Sequence, residues 1–514
     1  MNTQKHTKHL KFIPSTTIVI PSHTYLKRMV FLFLLVLSAG LVQAQPWKEH
    51  GQLQVRPDNP HYITHQDDTP FFWLADTGWE MLHRLSREEI VRYLEDRQKK
   101  GFNVIQTVVI SEFIRMDKPT NYYGDSIFVN ENPMKPALTK GSNPGNTLEY
   151  DFWDHVDFAV QTATDRGLYI ALLPTWGEWV TPRGEKPLFN TIEETYQYGW
   201  FLGNRYRKSQ NLIWVLGGDR HPDERSNGFE LWRAMAEGIA DGTNGVLKQD
   251  GKADYSTTLM THHSYNSSSK WFHKDEWIDF HTWGSYHAEV NNTKAYMAAI
   301  ADWNLPHPKP TINLEPCYEG HGINYAIDDN GVFTSTDVRL AAYWSVFSGG
   351  AGFTYGAQPI WQFTDATRKK HSQMTYMSWQ EAIDLPGASQ IGWIKTLMLS
   401  RPMDQLVPDQ SLIAGGQGDC ATYSCAIRGK SHAFVYIPTG NKTTVKMGII
   451  SGEKVKGSWF NPRNGEITPI GEYANKGEQS FEVPGMSKEL GWLRSGRGCD
   501  WVLILDDSAA KQGQ

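Results

Sequence analysis

A chain of 514 residues with 50 basic and 56 acidic side chains carries a formal charge of −6. A mildly acidic protein without a run of Lys or Arg is poorly suited to a phosphate backbone, so no nucleic-acid partner is expected. Four cysteines are too few for a disulfide scaffold at this length, and none forms a CxxC pair with zinc spacing.

The N-terminus predicts a signal peptide. Lys27-Arg28 precede an apolar run from Met29 to Leu37, and Val42-Gln43-Ala44 offers a small-residue cleavage site before Gln45. The run falls short of the roughly 20 residues a bilayer requires, so no membrane span is expected in the mature protein. Losing residues 1–44 removes Lys5, Lys8, Lys11, Lys27 and Arg28 and takes the charge to −11. Export to a bacterial periplasm or cell surface is the expectation.

Beyond a short hairpin signal at Leu53–Thr64, apolar β-rich runs alternate with helical patterns from Pro70 to about Leu399. Predicted strands are Pro70–Trp79, Phe102–Ile110, Leu168–Trp176, Asn211–Asp219, Ser256–His263, Asp279–Ser285, Pro310–Glu319 and Gly350–Gly356. Between them lie helices, the first announced by a Ser86/Glu89 capping box and stopped at Gly101. Ser111–Tyr150 reads as a long polar loop after the second strand. Eight strands in this rhythm indicate a (β/α)8 TIM barrel. The competing doubly wound open sheet lacks a GxGxxG turn after its first strand. After Arg401 short alternating strands separated by Gly, Pro and Asn turns predict a small all-β sandwich. The expected organisation is thus 1–44 signal, 45–400 barrel with N-terminal hairpin, and 401–514 β-sandwich. Cys420, Cys425 and Cys499 allow one bridge in that last region, with the pairing undecided.

In such barrels chemistry gathers at the C-terminal strand ends. Here these carry Asp76 and Trp79, then Gln106, then Trp176, Glu178 and Trp179, then Asp219, Arg220 and His221. His262 and His263, His281 and Trp283, Glu315, Tyr318 and Glu319, and finally Tyr355 and Trp361 complete the set. Two carboxyls stand out: Asp219 follows Gly217-Gly218 after a strongly apolar run, and Glu315 sits in Asn313-Leu314-Glu315-Pro316. Strands four and seven face each other across a barrel mouth. Glycoside hydrolysis needs one carboxyl to protonate the leaving oxygen and a second to act as nucleophile or base. A helix cap or an Arg220 partner for Asp219, and a buried ion pair for Glu315, are the alternatives. The 20 Trp suit sugar faces as well as a large core.

LGGDR, MTHHS, LEPCYEG, GAGFTYG and FFWLADTGWEML resemble the barrel of glycoside hydrolase family 140, the apiosidases. WFNPRNGE and DWVLILD resemble the module that accompanies it, a domain named for collagen binding. The resemblance implies cleavage of the bond between apiose and galacturonic acid in the pectin rhamnogalacturonan II, an oligo- or polysaccharide substrate, with no metal or cofactor. It assigns Asp219 as acid/base and Glu315 as nucleophile, with retention favoured. A carboxyl separation near 5 Å accords with retention and roughly 6.5–9.5 Å with inversion. His221, His262, His263 and His281 become candidate hydroxyl or carboxylate binders. Arg220 becomes a galacturonate or Asp219 partner, and Trp79, Trp176, Trp179, Trp283 and Trp361 become sugar platforms.

Two rival readings follow from the same residues. A metalloenzyme is suggested by the histidines, but His262 and His263 point to opposite faces of a strand and no HExxH is present. A non-catalytic glycan- or matrix-binding protein is suggested by the C-terminal module.

Overall fold

The computed structural model describes residues 45–112, 120–182, 186–288, 293–365, 367, 374–440, 442–485 and 498–510. The expected signal peptide lies outside them. No helix of the described residues is long and apolar enough to cross a membrane.

After a helical turn at Pro46–Glu49 comes a three-stranded antiparallel sheet: β1 (Leu53–Val55), β2 (Ile63–His65) and β3 (Pro70–Phe71). The barrel strands follow as β4 (Trp73–Thr77), β5 (Val104–Val108), β6 (Tyr169–Leu173) and β7 (Leu212–Gly217). The second half supplies β8 (Met260–His263), β9 (His281–Gly284), β10 (Thr311–Glu315) and β11 (Gly352–Tyr355). The first predicted strand is therefore two: Pro70–Phe71 pairs with the hairpin, and only Trp73–Thr77 joins the barrel. The fifth begins later than expected, because Tyr255–Thr257 forms a 3-10 turn capped by Asp254.

The eight barrel strands form one parallel ladder in the order β8-β7-β6-β5-β4-β11-β10-β9. Sequential order around the ring is that of a (β/α)8 barrel and not of a doubly wound sheet. At the seam, side chains take over from the backbone ladder. Thr261 Oγ1 donates to Phe280 O at 2.6 Å, and Thr282 Oγ1 donates to His262 O at 2.8 Å. Inside, Trp73 Nε1 donates to Thr354 Oγ1 at 3.0 Å, and Gln106 reaches across from β5 to the Leu314 carbonyl of β10 at 3.3 Å.

The surrounding helices start where local chemistry dictates. Capping boxes begin α1 (Arg87–Lys99) at Ser86, α2 (Phe152–Thr164) at Asp151 and α3 (Ile192–Tyr206) at Thr191. The ring continues with α4 (Gly228–Asn244), α5 (Lys294–Trp303), α6 (Ser335–Phe347) and α7 (Pro386–Leu399).

The C-terminal region is all β. One sheet holds β12 (Val407–Pro408), β14 (Cys425–Arg428), β15 (His432–Ile437), β17 (Lys454–Phe460), β18 (Ile467–Ala474) and β20 (Trp501–Asp507). A smaller one holds β13 (Ile413–Gly415), β16 (Thr443–Lys446) and β19 (Glu478–Phe481). Side-chain alternation explains why the central strands read as continuous apolar runs. Ala433, Val435, Leu503 and Leu505 pack toward the small sheet with Val445 and Phe481. Their neighbours Phe434, Tyr436, Val502 and Ile504 join the barrel's core. There Tyr436 stacks on Tyr343 of α6 at 4.7 Å, and buried Arg339 of α6 pairs with Asp500 at 2.9 Å. The four cysteines are thiols and not disulfides; that of Cys425 lies 3.8 Å from the Tyr343 carbonyl.

Candidate active site

The turn after β7 needs glycine. Gly217 has φ 93° and Gly218 φ 139°, a region that L side chains avoid. A Cβ on Gly217 would lie 2.1 Å from the His263 carbonyl, and one on Gly218 2.6 Å from Gly177 N and 2.8 Å from the Trp176 indole. The chain therefore passes tightly between β8 on one side and the turn after β6 on the other, and leaves Asp219 at the barrel mouth.

Glu315 arrives by a different device. On β10, Thr311 Oγ1 donates to Asp302 of α5 and Asn313 Nδ2 to Ser345 of α6, so this row faces the helices. A β-bulge then skips Leu314 in the pairing with β9, which matches Asn313 to Trp283 and Glu315 to Gly284. The extra residue turns Glu315 out of the helix-facing row and into the mouth. On β8 simple alternation sends His263 inward and His262 outward.

Donor atoms of Asp219, His263 and Glu315 lie within 4.8 Å of one another. Glu315 Oε2 accepts from His263 Nε2 at 2.7 Å, and Oε1 accepts from Tyr318 OH at 2.9 Å. His287 Nε2 stands 3.8 Å from the same Oε1, and the Trp79 indole N–H donates to Tyr318 OH at 3.1 Å. Two carboxyls in one site thus have opposite surroundings. Burial and the negative charge of Glu315 push Asp219 up to about 7, against smaller pulls from His263 and Arg220. Burial would raise Glu315 too, but the imidazoles of His263 and His287 outweigh it and hold the carboxyl below its ordinary range. The His263 imidazole is raised despite burial, because Glu315 and Asp219 stabilise its cation. The site holds a proton on Asp219 and a charge on Glu315. Asp219, His263 and Glu315 also have the donor types and spacing of a metal site, although His263 Nε2 and Glu315 Oε2 are spent on each other.

The cavity around them, open to solvent, is lined by Trp79, Trp176, Tyr318 and Trp361 beside the two acids. Four further lining residues were absent from the sequence reading: Glu112, His287, His321 and Tyr325. Glu112 lies just beyond β5, where the rule of strand ends would have found it. His287 and His321 stack face to face at 4.0 Å, a pairing of two loops that no local pattern announces.

Other candidates are placed away from the cavity. Asp76 faces α1, where it accepts from Arg97 Nε at 2.5 Å and Tyr93 OH at 2.6 Å. Gln106 fills the barrel interior below the site. Trp179 donates to the Ser111 carbonyl at 2.8 Å. His262 packs between Trp232, Phe272 and Trp277, and burial lowers its pKa to about 3. His281 bonds Ser268 and His273 in the helix layer, and Trp283 donates to Thr311 Oγ1 at 2.9 Å. Glu319 accepts from Tyr355 OH at 2.7 Å and from Gly387 N at 2.9 Å, which spends both candidates on anchoring α7. His221 contacts Asn266 at 3.2 Å outside the lining. Arg220 donates to Glu178 at 2.9 Å, and its contact with Asp219 is to the backbone carbonyl, not the carboxylate.

Comparison with known proteins agrees with this architecture. The family model described as "Apiosidase-like, catalytic domain" matches residues 57–405. A second, described as "Putative collagen-binding domain of a collagenase", matches residues 407–506. No curated protein matches the chain. A solved structure titled "Glycoside hydrolase" is 30% identical over 91% of this chain and 100% of its own, with a TM-score of 0.78. A glycoside hydrolase family 5 structure from Bacteroides vulgatus is 31% identical over 92% of this chain and 96% of its own, with a TM-score of 0.77. The barrel, the opposed carboxyls at its mouth and a family match across most of the chain converge: this protein belongs to the apiosidase-like catalytic-domain family and is a glycoside hydrolase.

Proposed function

We propose that this glycoside hydrolase cleaves the bond between apiose and galacturonic acid in rhamnogalacturonan II with retention of configuration. One observation carries the mechanism: Asp219 and Glu315 present oxygens within 4.8 Å of each other at the ends of β7 and β10. That spacing favours the roughly 5–5.5 Å of retaining enzymes over the roughly 6.5–9.5 Å of inverting ones. Glu315, ionised and held by His263 and Tyr318, attacks the anomeric carbon. Asp219, protonated, delivers its proton to the departing oxygen, so that a glycosyl ester of Glu315 forms as the leaving group departs neutral. Asp219, now ionised, removes a proton from water, which attacks the same carbon and frees Glu315.

The apiose assignment draws support from the family match and from the lining. Among the described residues around the cavity there is no Lys or Arg, which suits a neutral, hydroxyl-rich sugar packed on indole faces. The uronate then belongs on the leaving-group side, beyond the lining of this cavity. We also infer export after cleavage at Ala44, which N-terminal sequencing of the mature protein tests.

The deciding experiment incubates the protein with rhamnogalacturonan II oligosaccharides and a panel of aryl glycosides while NMR follows the first-formed anomer. Apiose released with the substrate's own configuration is the expected result. Arabinose or galactose as the released sugar would overturn the substrate, and an inverted anomer would overturn the retaining mechanism.

A further inference from the structure

A third carboxyl shares the cavity. Glu112 lines it together with Asp219 and Glu315, and the chain is pinned immediately before it. The Ser111 hydroxyl donates to Glu80, and the Ser111 carbonyl accepts the Trp179 indole N–H at 2.8 Å. Acids nearby have cationic partners: buried Glu80 lies 3.5 Å from Arg84, and partly exposed Glu178 lies 2.9 Å from Arg220. Glu112 has no such partner among the described residues. The leading charge effects on it come from Asp219, Glu80, Glu315 and Glu178, all acidic. A structural glutamate in such company would be costly to keep, whereas one that faces an open cavity has substrate as its partner.

We propose that Glu112 is a substrate-contacting residue that sets specificity, its carboxyl gripping a hydroxyl of the sugar held against Asp219 and Glu315. Burial and the surrounding acids push its pKa well above the ordinary carboxyl range. The shift favours the protonated carboxyl, which has one O–H to donate and one carbonyl oxygen to accept, a pair that matches a sugar hydroxyl. A neutral acid cannot replace Glu315 as nucleophile, and it adds no charge to oppose the ionisation of Glu315. The inference rests on Asp219 and Glu315 being the reacting pair, and not on which sugar they cleave.

The test uses the glycoside that the wild type cleaves best. Glu112→Ala should raise KM at least about tenfold with a smaller change in kcat, as expected for loss of a hydrogen bond to substrate. Glu112→Gln, uncharged and of the same shape, should keep KM within about threefold. Should Glu112→Ala fail to fold, Glu112→Met makes the same comparison with the volume kept. A wild-type KM in the Ala or Met variant would overturn the proposal, as would a Gln variant as impaired as these. Wild-type kcat in Asp219→Asn beside a raised KM in Glu112→Ala would instead overturn the reacting pair and leave the contact standing.

Discussion

Replacing Asp219 by Asn tests the acid/base assignment through its pH signature. With its pKa raised from 3.8 to about 7, Asp219 is the one reacting carboxyl that titrates near neutrality. At pH 7 about half of the molecules carry the proton; at the ordinary value about one in 1,600 would. The environment thus supplies roughly 800 times more acid at neutral pH. The protonated form is the active one, so kcat/KM falls as pH rises through about 7 and drops tenfold per unit beyond about pH 8. The acid limb belongs to Glu315 and lies below its ordinary range, because the charged form is the one the site favours. In Asp219→Asn the side chain cannot ionise, and the alkaline limb should vanish. Turnover of substrates with poor leaving groups should fall by about 10²–10⁴, and that of 4-nitrophenyl glycosides by less, since these need little protonation. Initial rates from pH 4 to 9 on both substrate types make the measurement. Survival of the limb near pH 7 in the Asn variant would refute the assignment.

Gly218→Ala should cost about 1–3 kcal/mol in urea unfolding and lower kcat, because the new Cβ meets Gly177 and Trp176 at a φ of 139° and displaces Asp219. His262→Leu should keep kcat/KM within about threefold, since that ring only packs among aromatic side chains. His263→Leu should lower kcat and move the acid limb to higher pH as Glu315 loses its donor; equal effects from the two histidines would contradict the facing of β8. Asp500→Ala strands Arg339 and Arg463 without their shared carboxylate and should cost about 3–5 kcal/mol of stability; unchanged unfolding would show that the junction between barrel and β-domain does not depend on the pair.

Much of this molecule is written in short-range pattern. The eight apolar runs became the eight barrel strands because parallel strands are buried on both faces and tolerate little else. Ser86, Asp151 and Thr191 marked their helix starts because a cap acts within three residues. Gly217-Gly218 announced a tight turn before Asp219 for a similarly local reason. In the C-terminal region β18 carries Pro469 and Gly471, which by sequence read as breakers of a strand. It is an outer strand of its sheet, with a register shift opposite Gly457 and Ser458, where proline costs no ladder bond.

The site itself draws on distances that run through space. Alternation says that His262 and His263 face opposite ways, but which of them points inward depends on where the helices pack. Counting in twos would leave Glu315 with Thr311 and Asn313 among the helices, and only the bulge at Leu314 delivers it to Asp219. Six tryptophans, Trp73, Trp153, Trp232, Trp283, Trp344 and Trp379, are fully buried, while Trp79, Trp176 and Trp361 reach the cavity. Composition could not sort them, since an indole suits a core and a sugar equally well. Local sequence sets the strands, caps and turns through neighbours along the chain. The spacing and opposite protonation of Asp219 and Glu315 arise from groups on separate strands and loops that meet only when the barrel closes.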